Sequence, residues 1–175
     1  MHFDKVGFIG LGLIGGSIAR KMKENNPKVS IIATAGHQKT TEDAFELGLI
    51  DNNELLELNS FKDCDVIFLC APVNKNIEYL TQLKDIIKDD CIITDVGSTK
   101  TQIHEKVIEL GLEHNFIGGH PMTGSEKTGI LNSDKQLLEN AYYIITPTAA
   151  TTEENLNNFR QFVLSLGSIA LILDY

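Results

Sequence analysis

Val6-Gly-Phe-Ile-Gly10-Leu-Gly12-Leu-Ile-Gly15-Gly-Ser17-Ile-Ala19 decides the reading of this chain, because every residue from Val6 to Gly16 is apolar or glycine. A buried strand over Lys5–Ile9 that runs into a glycine turn, followed by a helix from Leu13 to about Glu24, satisfies that pattern. Gly10, Gly12 and Gly15 have the G-x-G-x-x-G spacing. The first glycine makes a tight turn, the second lets backbone approach a pyrophosphate, and the third lets helix and strand pack closely. The free N–H groups and positive dipole end of the helix then face the phosphates. The run also has the length of a secretory h-region. Five glycines inside it, Asp4 before it and a charged helix after it argue against a signal peptide.

Outward from this stretch, apolar segments of strand length alternate with segments of helical spacing. Residues 29–33, 65–70, 91–95, 116–119, 141–146 and 169–173 read as strands, with 65–70 central because it is apolar on both faces. Thr40-Thr-Glu-Asp43 reads as a capping box opening a helix through Leu47, and further helices are expected over 74–88, 101–110 and 153–166. The alternation predicts an α/β fold, a doubly wound, mostly parallel sheet of the Rossmann type, with residues 1–175 forming one dinucleotide-binding domain. The direction of the strands after Phe116 stays open. Ligands in such sheets lie beyond the carboxyl ends of the strands. That places Gly10, Gly12, Leu13, Ile14, Gly15, Ala71, Pro72 and Ser98 against the cofactor.

A chain of 175 residues removes about 70% of its unfolded surface from water without staples. Cys64, Cys70 and Cys91 are odd in number and lack C-x-x-C spacing, so they read as buried free thiols of a cytoplasmic protein. Fifteen Lys and Arg against 24 Asp and Glu give a net charge of −9 and no segregated basic patch, which argues against nucleic acid. No apolar run is long enough to span a bilayer, so no membrane partner is expected.

Dinucleotide sites normally carry a carboxylate about 20 residues past the glycine motif to bind the ribose hydroxyls. Thr34-Ala35-Gly36 occupies that place, followed by His37, Gln38 and Lys39. Without the acid, Lys39 with His37 or Thr34 can accept a 2′-phosphate, so the cofactor is expected to be NADP in preference to NAD, or either.

Two polar segments interrupt the apolar pattern: Asp95-Val-Gly-Ser98-Thr-Lys100 and Gly119-His120-Pro-Met-Thr-Gly-Ser125-Glu126-Lys127. Hydride transfer from an alcohol needs a group that takes the hydroxyl proton. His120, set at a strand end between glycine and proline, is a candidate for that base or for a structural hydrogen-bonding residue. His104 and His114 read as surface residues, and His2 is terminal. No ligand spacing supports a metal, no Gly-Lys-Thr order supports a phosphate-binding P-loop, and Ser98 is in no nucleophile elbow.

Together, Phe8-Ile-Gly-Leu-Gly-Leu-Ile-Gly-Gly-Ser17, Asp95-Val-Gly-Ser-Thr-Lys100, Gly119-His-Pro-Met-Thr-Gly-Ser-Glu-Lys127 and Glu139-Asn-Ala-Tyr-Tyr143 resemble the prephenate dehydrogenase family over essentially the whole chain. The resemblance implies oxidative decarboxylation of prephenate to 4-hydroxyphenylpyruvate in tyrosine biosynthesis. His120 would match the residue that draws the proton from the C4 hydroxyl, and Ser98 the serine that hydrogen-bonds both histidine and hydroxyl. Ser125 and Glu126 would lie at the substrate mouth. Two departures stand out. Family members often have an acid where Ala35 stands, and the family's helical domain, which dimerises and grips the substrate carboxylates, is expected to be missing from this chain. A homodimer is implied only with that domain, and the 175 residues alone are expected to bind nucleotide and turn over little. The alternatives are an arogenate dehydrogenase, a 3-hydroxyacid dehydrogenase or reductase sharing the Gly-Leu-Gly start, and a non-catalytic NAD(P)-binding module.

Overall fold

A computed structural model describes residues 3–175; His2 lies outside them. Seven strands and five helices follow in the order β1 (Lys5–Ile9), α1 (Leu13–Asn25), β2 (Ser30–Thr34), α2 (Gln38–Glu46), β3 (Val66–Leu69), α3 (Val73–Leu83), β4 (Ile92–Asp95), α4 (Thr101–Leu110), β5 (Ile117–Pro121), β6 (Tyr142–Pro147), α5 (Glu153–Ser165) and β7 (Ile169–Ile172). The first four strands form a parallel sheet in the order β2-β1-β3-β4, and the last three a second ladder in the order β5-β6-β7. A single parallel bridge, Ile93 to Phe116, joins the two. β6 runs antiparallel to β5 and β7 parallel to β6, so the sheet is mostly parallel with one reversal.

Strand residues alternate between two cores. Val66 and Phe68 pack with α1, α2 and α5, while Ile67 and Leu69 pack with α3 and α4. This two-sided burial is why β3 has no polar residue. Phe8 and Phe68 stack across β1 and β3 with centroids 4.8 Å apart, both fully buried. Between β5 and β6 the chain returns across α1 in two short 3-10 turns, Ile130–Asn132 and Lys135–Leu138. Ser17 Oγ accepts from the Asp134 N–H and Arg20 Nε donates to Ser133 Oγ, fixing that return.

Three expectations are corrected. α2 starts at Gln38 behind His37, which places Thr40 inside the helix; the Gln38 side chain instead ties to Asn53 O and the Leu55 N–H. α3 ends at Leu83, where tighter turns take over before β4. Cys70 is only half-buried, because it borders an open cleft; Cys64 and Cys91 are buried, with thiols pushed up to about 12 by burial. Among the described residues no helix is long and apolar enough to cross a membrane.

Truncating Phe68 to Ala removes the centre of one core and a ring stack, and is expected to lower unfolding free energy by about 3–5 kcal/mol. Denaturant titration checks this; a loss below about 1 kcal/mol would contradict the packing described.

Candidate functional site

Ile9 pairs with both Thr34 and Leu69, so β2, β1 and β3 end level and their loops start side by side. Gly10 turns the chain there with φ +85°, its N–H donating to Thr34 O at 2.9 Å. A Cβ on Gly10 would sit 2.5 Å from the Ala71 nitrogen, so only glycine fits. Gly12 caps α1 without a side-chain hydrogen bond, and the first turn carries no acid. The N–H groups of Leu13, Ile14 and Gly15 therefore face outward without intrahelical partners. A Cβ on Gly12 would meet nothing within 4 Å, which leaves that backbone open to a ligand. The cleft in front measures about 350 Å³ and is bordered by Gly10, Gly12, Ala35, Gly36, Ala71 and Pro72. Open backbone, unpaired N–H groups and a positive helix end fit the diphosphate of a dinucleotide.

Of the residues expected at the ribose, Thr34 is buried and His37 stands exposed at the start of α2. Lys39 is 70% exposed and paired with Asp43 at 2.6 Å; neither it nor His37 borders the cleft.

A second pocket, of about 240 Å³, opens beyond β4 and β5 and holds Ser98, Lys100, His120, Thr146 and Tyr175. His120 is half-buried on β5 opposite Ile144, with a buried Nδ1 that has no partner among the described residues. Ser98 is exposed in the loop after β4. The structure brings His120 and Ser98 to one pocket without a hydrogen bond between them among the described residues. Ser125 and Glu126 lie outside its lining on the exposed loop after β5, where Ser125 Oγ accepts from the Lys127 N–H at 3.2 Å. Among the described residues no cluster of His, Cys, Asp and Glu can hold a metal.

Beneath the pocket, Asp95 is fully buried and Lys100 nearly so. Lys100 Nζ donates to both Asp95 carboxylate oxygens, at 2.7 and 2.6 Å, and to Gly119 O. Asp95 also accepts from the Gly97 and Gly119 N–H groups, at 3.0 and 3.2 Å. Burial pushes the carboxyl up and the ammonium down, and the ion pair opposes both shifts. His104, expected at the surface, is instead fully buried one helical turn from Lys100. Its Nε2 bonds Thr146 Oγ1 at 2.9 Å, its ring stacks on Tyr175 at 3.7 Å, and burial, then the Lys100 charge, lowers its pKa to about 4. The available signal was Val107, three residues on and apolar, which puts His104 on the inward face of α4. Asp95 and Lys100 were visible as a polar segment, but their pairing needs the fold.

Lys100→Met leaves Asp95 buried without its partner and is expected to destabilise by about 3–5 kcal/mol. The Asp95→Asn, Lys100→Met double variant should regain most of that in denaturant titrations. A single variant as stable as the double would refute the pairing. His104 protonates near 6.5 when unfolded and near 4 when folded, so falling pH favours the unfolded chain. Its contribution is full above pH 6.5 and drains away towards about 4, by about 3 kcal/mol in all. Melts of His104→Gln should lose that part of the acid slope; parallel slopes in both proteins would refute it.

The model of the prephenate dehydrogenase nucleotide-binding domain matches residues 18–171. The chain is 37% identical over 173 residues to a prephenate dehydrogenase of Lactococcus lactis subsp. cremoris, covering 97% of this chain and 46% of that protein. The structure of Synechocystis arogenate dehydrogenase superposes with a TM-score of 0.88 at 34% identity, over 97% of this chain and 59% of the other. That of prephenate dehydrogenase from A. aeolicus, in complex with hydroxyphenyl propionate and NAD+, gives 0.89 at 28%, over 99% and 61%. The chain spans about half the length of the curated relatives it matches. With the glycine turn, the level strand ends and a family match over most of its length, the chain belongs to the prephenate dehydrogenase nucleotide-binding-domain family.

Proposed function

We propose that this chain supplies the dinucleotide site and the proton acceptor for oxidative decarboxylation of prephenate to 4-hydroxyphenylpyruvate. The observation that carries the reading is His120, held at the end of β5 in one pocket with Ser98, beside the cleft at the start of α1. An oxidised dinucleotide held at Gly10, Gly12 and the first turn of α1 would supply the acceptor for the hydride from C4 of the substrate ring. His120 takes the proton from the C4 hydroxyl, and Ser98, exposed on the same rim, donates or accepts the hydrogen bond that aligns it. Loss of CO2 then makes the ring aromatic, so the protein's task is mainly orientation and proton transfer. Lys100 and Asp95 hold the Gly119 backbone, and with it the histidine that follows.

Arogenate is the second reading, favoured by the likeness to Synechocystis arogenate dehydrogenase. The free thiols suit the cytoplasm, and a homodimer rests on the family resemblance alone. A module that only senses NAD(P) would leave His120 and Ser98 without a use.

The test combines calorimetry with product assay. This chain should bind dinucleotide and form 4-hydroxyphenylpyruvate from prephenate slowly, while His120→Asn should bind it equally well and form product at least about 100-fold more slowly still. Unchanged turnover in His120→Asn would remove the proton-transfer role, and absence of nucleotide binding in wild type would remove the whole reading.

A further inference from the structure

The cleft at the start of α1 extends both ways along the sheet. His120 and Ser98 lie on the side of β4 and β5, so a dinucleotide whose diphosphate rests at Gly12 must carry its adenosine the other way, over β2. There the walls are Ala35, Gly36 and Thr40 on one side and Lys75 and Tyr79 of α3 on the other. Lys75 is in the first turn of α3, and Tyr79, four residues on, shares its face. Tyr79 is half-buried and packs against the core shared by α3 and α4, which makes its ring a fixed surface. Among the described residues no carboxylate borders the cleft. Lys39, the cation expected from sequence, is held at 2.6 Å by Asp43, with Glu42 and Glu46 adding negative charge around it. Lys75, which borders the cleft, pairs among the described residues with Glu78 at 2.8 Å, with both side chains more than half exposed. Such a pair is weak and yields readily to a phosphate.

We propose that the adenosine end of the cofactor is read from α3: Lys75 binds the 2′-phosphate of an NADP-type dinucleotide, and Tyr79 flanks the adenine. The proposal rests on the dinucleotide reading above and replaces Lys39 as the selecting cation. Lys75 is exposed, so truncating it leaves the core intact, whereas truncating Tyr79 also removes packing against the core and its folding is checked directly.

NAD and NADP are titrated calorimetrically into wild type, Lys75→Ala, Lys39→Ala and Tyr79→Ala, with circular dichroism to check folding. Wild type should bind NADP more tightly than NAD. Lys75→Ala should raise the NADP Kd about tenfold and leave that for NAD within about twofold. Tyr79→Ala should weaken both nucleotides by a similar factor, and Lys39→Ala neither. If NAD binds but Lys75→Ala leaves NADP unchanged, or Lys39→Ala alone loses it, the assignment to α3 falls and the dinucleotide reading stands. Failure of wild type to bind either nucleotide overturns both.

Discussion

Everything on the reactive side of this domain depends on the contact between Asp95, Lys100 and Gly119. The parallel sheet ends at β4 and the second ladder begins at β5, with one isolated bridge between them. At their carboxyl ends the strands come so close that a Cβ on Gly119 would lie 2.7 Å from Asp95 O. Asp95 fills the gap with charge: its oxygens receive Lys100 and two backbone N–H groups. A carboxylate at that depth is tolerable only because each of those bonds is made. The ion pair is thus better understood as a fixed joint than as a source of stability. Because it grips Gly119 by both its N–H and its carbonyl, it also fixes the backbone of β5 next to His120.

The opposite side of the site is organised by backbone. β1 lies between β2 and β3, and the equal height of their ends makes one rim from three loops. Gly10 and Gly12 keep that rim low, and the unpaired first turn of α1 supplies the positive end that an acidic chain otherwise lacks. Phosphate recognition therefore needs no side-chain cation at the centre of the cleft. The side-chain cation that borders the cleft, Lys75, lies to one side of this backbone rim, on α3.

The glycine turn, the alternation of strand and helix and the central β3 were legible in the sequence, because each follows from local periodicity and from glycine's backbone freedom. His120 and Ser98 were legible as polar interruptions at strand ends, and the structure brings them to one pocket. The start of α2 was misread because Thr40 and Asp43 match a capping box, whereas Gln38 gains bonds to residues 53 and 55 that no local rule reveals. His104 was misread because a histidine's environment is set by what packs over it, here Phe116 and Tyr175. The turns at 130–138 were missed because their partners, Ser17 and Arg20, lie more than 100 residues earlier.

Charge around the second pocket bears on what can enter it. Lys100 is the cation in its lining, but Asp95 neutralises it from below, and Asp174 lies on the rim. Leu173, Asp174 and Tyr175 also line the pocket, with the Tyr175 ring stacked on His104. An anion entering here meets no net positive charge and one exposed carboxylate, an arrangement that disfavours its binding. Under the proposed function, the residues of this lining are therefore suited to orienting a hydroxyl and taking its proton more than to holding an anion. On that reading, proton transfer and anion recognition are thus separable, and the side chains of this lining bear on the first.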